Sequence, residues 1–302
     1  MRKKVVILGA TGMLGSMILD FFSKDSNFNI KATYRDKTQI SLLKNKYPKV
    51  NFSRFDVEKV SEKDILSTFD KTTWIINAIG IIKPHIHDDN EEEIRRAIFV
   101  NAYFPHILAA KARKIDAKII QIATDCVYSG QKGKYTESDN HDATDVYGKT
   151  KSLGEVYESN VCHLRCSIIG PELKVHQSLL DWFLAQPKKG EINGFTNHLW
   201  NGITTLHFAK ICKGIIENNI NLPHLQHIIP GNVITKANLL KTFSKEFNRK
   251  DLTIKNTKAP IAIDRTLSTN NIELNNKLWK LSGYASSPNI EEMIKELASY
   301  QL

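Results

Sequence analysis

Long apolar runs are missing from this sequence of 302 residues. Its apolar stretches, such as Val5 to Leu8, fall far short of the roughly 18 residues that a membrane span needs, so no membrane partner is expected. The N-terminal MRKKVVILGATG also lacks a long apolar segment followed by a small-residue cleavage site. Its apolar run stops at a glycine motif, so it reads as a first strand and not as a secretory signal. Cysteine is scarce: Cys126, Cys162, Cys166 and Cys212, with no CxxC among them. Cys162 and Cys166 sit on a strand-like run whose neighbours alternate faces. That argues against a disulfide framework or a zinc site and for buried, reduced thiols in a cytoplasmic protein.

Acidic residues are also short, 32 against 42 basic ones, which leaves a net charge of +10. Only nine of the basic residues are arginine, and the lysines are scattered along the chain. A scattered surplus is a solvated surface with no nucleic-acid footprint, yet its field can draw an anionic substrate into a cleft. Internal repeats, low-complexity segments and Gly/Ser-rich linkers are absent. The cluster Pro84-His85-Ile86-His87-Asp88-Asp89-Asn90-Glu91 reads as a loop with acids at the next helix's N-terminus, where the dipole favours them, and not as a metal site.

What is present is alternation. Strand-like runs at 4–8, 29–34, 50–55, 74–77, 118–123 and 161–169 are separated by helical stretches at 12–24, 39–46, 62–69, 91–114 and 145–159. This pattern predicts an α/β fold, a Rossmann-type doubly wound parallel sheet with helices on both faces. After Pro171 the pattern becomes irregular, with helices expected at 178–186, 205–218, 236–247 and 290–300. Strands are expected near 198–202, 227–229 and 252–255. We therefore expect a dinucleotide-binding domain over 1–168 and a smaller α/β substrate lobe over 169–302, with the chain free to re-enter the first domain.

The first strand runs into Gly9-Ala10-Thr11-Gly12-Met13-Leu14-Gly15. A glycine-rich turn lets the backbone approach a pyrophosphate, and the amides and dipole of the next helix favour that anion. The second strand ends Ala32-Thr33-Tyr34-Arg35-Asp36. NAD binders usually carry an acid at such a strand end for the ribose hydroxyls. No acid stands at Thr33 or Tyr34, and Arg35 suits a 2′-phosphate by charge and fork geometry. The alternative is a surface arginine paired with Asp36. Asp56, with Val57, either holds the adenine edge or caps the following turn. Ala78, just after the fourth strand, completes the expected cofactor set.

YxxxK occurs twice. Tyr128 and Lys132 flank a turn-like segment, whereas Tyr147 and Lys151 begin a helical one. Only on a helix does this spacing bring both side chains onto one face. There Lys151 can lower the phenol's pKa and reach the nicotinamide ribose, with Tyr147 as general acid. Thr124 closes a buried-type strand, at the edge where parallel sheets place ligands. Its hydroxyl either bonds the reacting carbonyl or caps the next turn.

Five motifs occur in order: the glycine turn; Ala123-Thr124-Asp125-Cys126-Val127-Tyr128-Ser129-Gly130; Lys134-Tyr135-Thr136-Glu137-Ser138-Asp139; Val146-Tyr147-Gly148-Lys149-Thr150-Lys151-Ser152-Leu153-Gly154-Glu155; and Leu164-Arg165. In these motifs the chain resembles the extended short-chain dehydrogenase/reductases, and within them the dTDP-4-dehydrorhamnose reductase branch. The resemblance covers the chain well to about Arg165 and weakly beyond it. It implies a catalytic set of Thr124, Tyr147 and Lys151, and a coenzyme that is NADP(H), with NAD as the second choice. It also implies a nucleotide-linked 4-keto-6-deoxy sugar as substrate, and it is compatible with a homo-oligomer. Cys126, Val127 and Trp200 are expected to line the sugar site, although a core Trp beside a helix cap is as good a reading of Trp200. The sequence departs from the family pattern at Ala123, where Ser is usual, and at Cys126, where an aromatic is common. It departs again after Leu164-Arg165-Cys166-Ser167-Ile168, where the usual Trp is missing, so the pocket differs. An epimerase of the same superfamily and a non-catalytic NADP-binding regulatory subunit remain as alternatives. A dehydratase would add an acid pair beside the threonine, and Thr124-Asp125-Cys126 offers one acid.

Overall fold

Five largely apolar runs and two short polar ones pair into a single parallel sheet. The strands are β1 (Lys3–Leu8), β2 (Phe28–Tyr34), β3 (Asn51–Arg54), β4 (Thr73–Asn77), β5 (Lys118–Ala123), β6 (Val161–Arg165) and β7 (Leu225–His227). They lie side by side as β7-β6-β5-β4-β1-β2-β3, every neighbouring pair parallel. The computed structural model describes residues 2–36, 40–59, 65, 68–69, 73–173 and 177–301. Much of the helix expected over 62–69 lies outside them.

Val5, Val6, Ile7 and Leu8 are all buried because helices cover both faces of the sheet. The helices are α1 (Met13–Ser23), α2 (Ile40–Lys46), α3 (Glu91–Ala97), α4 (Phe104–Lys114), α5 (Val146–Leu153), α6 (Leu179–Leu184), α7 (Thr205–Glu217), α8 (Lys236–Glu246), α9 (Ile272–Leu281) and α10 (Ile290–Ser299). On one face α1 lies against α7. Ile18, Leu19 and Phe22 of α1 and Ile211 and Ile215 of α7 are fully buried. Each such side chain contributes about 1.5–3 kcal/mol relative to exposure. On the other face Phe104, Leu108 and Ala112 of α4 pack with Val6, Leu8 and Ile75.

Two outcomes differ from the sequence pattern. The stretch expected as one helix over 91–114 contains a π-helical segment, Ile98–Tyr103, between α3 and α4. Pro105, at the start of α4, has no N–H to donate, which favours a register change there. The strand expected over 161–169 breaks after Arg165, and Ile168–Ile169 pairs instead with Ile203–Thr204. As the sequence reading left open, the chain returns to the main sheet, where β7 pairs with β6.

The remaining segments form small sheets. In one, His198–Trp200 lies between Ile234–Thr235 and Ile263–Asp264. This sheet is tied to the segment after β5. The Asp264 amide donates to the Gly130 carbonyl at 2.8 Å, and the Tyr135 amide donates to the Thr266 carbonyl at 2.9 Å. Among the described residues no helix is long and apolar enough to cross a membrane.

Candidate active site

The strand order reverses at the β1/β4 boundary, which is where open α/β sheets hold ligands. The glycine turn sits there. Gly9 has φ +76°, a left-handed conformation that suits glycine. Thr33 locks the turn from β2: its hydroxyl accepts from the Gly9 amide at 3.0 Å, and its carbonyl accepts from the Ala10 amide at 2.9 Å. At Gly15, an added Cβ would lie 2.1 Å from the Gly9 carbonyl oxygen, so only glycine lets α1 start this close to β1. Gly12 is the exposed N-cap of α1 and supplies no side-chain cap. Met13 and Leu14 open the helix, and Thr11 is half-buried beside them. Ala78 closes the turn from the other side, its amide donating to the Leu8 carbonyl at 3.1 Å.

Arg35 is exposed at the end of β2, and the Arg54 Nε donates to its carbonyl at 3.3 Å, so two guanidinium residues meet at this edge. Asp56 accepts from the Glu58 amide at 3.3 Å, as a turn cap does, and Val57 is buried. In the loop after β4, the carboxylate-rich start of α3 is capped by Asn90, which accepts from the Glu93 amide.

Thr124, Tyr147 and Lys151 come together at the carboxyl edge of β5. Thr124 caps the short 3-10 turn Asp125–Val127, accepting from the Cys126 amide at 3.1 Å. Its hydroxyl donates to Asp125 Oδ1 at 3.3 Å, and the Tyr147 phenol lies close enough to feel it. Two glycines allow α5 to approach. A Cβ at Gly148 would meet the Cys126 carbonyl oxygen at 2.5 Å, and one at Gly154 would meet the Asn101 carbonyl oxygen at 1.9 Å. Lys151 points inward, its Nζ 3.4 Å from the Ile122 carbonyl. One turn on, Glu155 pairs with the fully buried Arg165. The other YxxxK pair is occupied elsewhere: Tyr128 is buried, stacks on Tyr135 at 4.2 Å and donates to the Thr136 carbonyl, while Lys132 pairs with Asp139.

Burial shapes the electrostatics. It pushes the Tyr147 phenol well above its usual value, with Cys126, Asp125 and Asp145 adding to the rise and the Thr124 hydroxyl opposing it. Burial lowers Lys151 to about 8, with Glu155 opposing. Asp125 is also raised by burial, offset by Arg265 and Lys236. Cys126 is half-buried and Val127 fully so. Val127 packs with Tyr128, Tyr135 and Leu267. Trp200 is 3% exposed, and its Nε1 donates to Ser167 Oγ at 2.8 Å. A cavity of about 440 Å³ adjoins, lined by Tyr128, Ala143, Asp145 and Arg265 among others.

Sequence reasoning missed three residues here. Asn101, in the π-helical segment, is buried; it accepts from the Ile81 amide at 2.8 Å and donates to the Ile81 carbonyl at 2.9 Å, with Thr150 at 3.4 Å. The signal was an Asn followed by Pro105 inside an otherwise regular helix. Lys236 and Arg265 reach the site from the small sheets and carried no motif.

The depressed lysines set a pH dependence. Unfolded lysine titrates near 10.4, whereas Lys151 and Lys236 titrate near about 8 in the fold. Below about 8 both states are protonated, and the folded state carries the full burden of two buried charges. Between 8 and 10 the unfolded chain holds more protons, so stability rises with pH by up to about 1.4 kcal/mol per unit for each lysine. Urea midpoints of the coenzyme-free protein should climb from pH 8 to 9.5, and Lys151→Met should flatten the climb. A midpoint that falls across this range would contradict the placement of both lysines.

Comparison with known proteins now adds the family. A family model described as RmlD substrate binding domain matches residues 3–169. The dTDP-4-dehydrorhamnose reductase of Aggregatibacter actinomycetemcomitans is 29% identical over 154 residues, which spans 50% of this chain and 45% of that enzyme. The methionine adenosyltransferase 2 subunit beta of Mus musculus is 24% identical over 257 residues, 82% of this chain and 72% of that protein. Among solved structures, dTDP-4-dehydrorhamnose reductase from Bacillus anthracis in complex with NADP superposes with a TM-score of 0.71 at 16% identity, over 98% of this chain and 99% of that one. UDP-glucuronic acid 4-epimerase from Bacillus cereus, bound to NAD and a UDP-sugar, gives 0.73 at 18% identity, over 98% of each chain. With the family match covering more than half its length, this chain belongs to the RmlD substrate-binding family of extended short-chain dehydrogenase/reductases.

Proposed function

We propose that this protein reduces the keto group of a nucleotide-linked 4-keto-6-deoxy sugar with NADPH. The observation that carries the reading is the grouping of Thr124 and Tyr147 with the inward-pointing Lys151, at the sheet edge that also holds the glycine turn. The residues present fit a dinucleotide. The amides of the first turn of α1 open beside the exposed Gly12, which supplies no side-chain cap, and nothing is closer than 3.5 Å to where its Cβ would stand. Those amides would hold the pyrophosphate, flanked by Thr11 and Ala78, and Lys151 would hold the nicotinamide ribose. Arg35 would meet the 2′-phosphate.

The bound coenzyme supplies the hydride. Tyr147 gives its proton to the carbonyl oxygen, and its raised pKa keeps that proton in place until charge develops. Thr124 holds the same oxygen by a hydrogen bond, and the Lys151 ammonium stabilises the phenolate left behind. The test is NADPH oxidation across a panel of nucleotide-linked 4-keto sugars. Stoichiometric loss of NADPH with one of them supports reduction, whereas isomerisation without net NADPH loss indicates an epimerase.

A second reading has its own support. The match to the Mus musculus subunit spans 82% of this chain, against 50% for the Aggregatibacter reductase. An NADP-binding regulatory subunit would bind NADPH and turn over nothing in the panel.

Coenzyme choice is tested separately. A charge-assisted hydrogen bond is worth about 1.5–3 kcal/mol, so Arg35→Ala should weaken NADPH roughly 10- to 150-fold and leave NADH nearly unchanged. Calorimetric titration of both decides it, and equal losses would show Arg35 to be structural.

A further inference from the structure

Arg165 ends β6, and its side chain is wholly buried. A buried guanidinium needs acceptors, and here they come from four separate segments. Tyr128 Oη accepts from Nη1, and so does His227 Nε2 of β7 at 3.0 Å. His141 Nε2 accepts from Nη2 at 2.8 Å, and the Glu155 carboxylate accepts from the same nitrogen. Two of these segments bracket α5. His141 lies in the stretch that leads into it, and Glu155 directly follows its cap, Gly154. A third is the turn of Thr124: Thr124 caps the amino end of that turn and Tyr128 caps its carboxyl end. His141 also reaches α5 itself, its Nδ1 standing 2.7 Å from Ser152 Oγ.

These contacts fix where the histidine protons are. A guanidinium only donates, so both histidines accept at Nε2, and each is neutral with its proton on Nδ1. The far side of His227 agrees, because its Nδ1 faces the Ser268 carbonyl at 2.8 Å and the Tyr135 carbonyl at 3.2 Å. His141 gives its Nδ1 proton to Ser152. Protonating His141 would remove the acceptor and set a second cation against Arg165. The groups that face His141 are Glu155 and Ser152 from α5 and its end, Arg165 from β6, Asp142 beside it and the Tyr128 ring at 5.6 Å.

We propose that Arg165 is a positioning residue for the reduction: by gripping Tyr128, His141 and Glu155 together, it sets how Thr124 stands relative to Tyr147 and Lys151. The proposal rests on the reductase reading and names the residue that assembles its catalytic set. The grip on α5 weakens in acid, because its His141 arm works only with neutral imidazole. Burial lowers His141 below its usual value, with Glu155 and Asp142 opposing and Arg165 adding to the fall. Turnover should therefore drop as pH falls below about 6.5, where free histidine titrates. His227 is lowered to about 4 and stays neutral through most of that range.

The test measures NADPH oxidation from pH 5 to 8 for wild type, Arg165→Lys and His141→Gln, with the keto sugar that wild type turns over. Lysine keeps the charge but cannot reach three segments at once. Arg165→Lys should lose about 10- to 100-fold in kcat, since an ångström of misplacement costs about 10²-fold. KM and NADPH affinity should change far less, because the glycine turn lies on β1, three strands away. Glutamine accepts a hydrogen bond and does not titrate, so His141→Gln should flatten the acid limb. A limb that survives in His141→Gln belongs to another group, such as Asp125, and would overturn the His141 arm. Nitrogen NMR of histidine-labelled wild type at pH 7 should show His141 neutral and protonated on Nδ1, and any other form would contradict the grip. If Arg165→Lys does not fold, Glu155→Gln takes its place in the same comparison. A variant that melts at lower urea yet keeps the turnover and pH profile of wild type would show Arg165 to be structural only. Wild type that oxidises no NADPH across the keto-sugar panel would instead overturn the reductase reading, and the positioning role with it.

Discussion

Replacing Tyr147 by Phe should lower kcat by about 10²–10⁴-fold, the usual range for losing a positioned general acid. The substitution removes one oxygen and keeps the ring. The close approach of Gly148 to the Cys126 carbonyl fixes α5 against the turn that Thr124 caps. The fold and the glycine turn should therefore be unaffected, and NADPH affinity should change little. The phenol's raised pKa sharpens the expectation, because the group remains a protonated donor across the working range. The measurement is kcat against pH for wild type and variant, alongside NADPH titration. A variant that keeps most of its turnover would remove Tyr147 from the chemistry. Tyr128 could not replace it, since its hydroxyl is committed to Arg165 and to the Thr136 carbonyl.

The second large effect belongs to the glycine turn. At Gly15 a methyl group would meet the Gly9 carbonyl oxygen at 2.1 Å and the Gly9 carbonyl carbon at 2.7 Å. Both are backbone atoms, so no side chain can swing aside. Gly15→Ala must lift α1 from the turn, at a cost of about 1–3 kcal/mol in stability and about 5- to 150-fold in coenzyme affinity. Gly12→Ala is the internal control. Its methyl would be 3.5 Å from the Gly9 oxygen, an ordinary contact, so the free protein should melt normally. NADPH should still bind more weakly, because that methyl stands where the pyrophosphate must approach. Equal NADPH affinity in wild type and both variants would show that the turn serves packing alone.

The legible parts of the fold were those where burial imposes a pattern. Val5 to Leu8 and Ile119 to Ala123 read as parallel strands because both faces are covered and few polar residues interrupt them. The glycine turn was legible because three glycines follow a strand at fixed spacing. What failed has physical reasons too. Leu225–His227 is three residues long with two polar members, and only the neighbouring β6 makes it part of the sheet. Ile272–Leu281 buries Asn275, Leu278 and Trp279 and little else, and its ten residues are half polar, so it passed as irregular chain. Thr33 was noted for the acid it is not, whereas its hydroxyl holds Gly9. Lys236 and Arg265 join the site through strands of two or three residues, a length at which no periodicity can be read. The proposed catalytic set was legible only as an i, i+4 pair and a strand end. The glycines that set its spacing, Gly148 and Gly154, carry no chemistry of their own.

The pairing of 129–136 with 263–268 bears on how the protein acquires its site. Gly130 to Asp264 and Tyr135 to Thr266 are bonds between positions more than 125 residues apart. The sheet's first six strands can assemble from sequence-adjacent units as the chain leaves the ribosome. The turn that presents Thr124 to Tyr147 is clamped only after the segment around Arg265 has been synthesised. Contacts of such high sequence separation form late and slowly. Competence to bind coenzyme should therefore precede competence to act on a sugar during folding. A nascent chain stopped before residue 263 would be a nucleotide-binding body whose substrate side is still open to solvent and to chaperones.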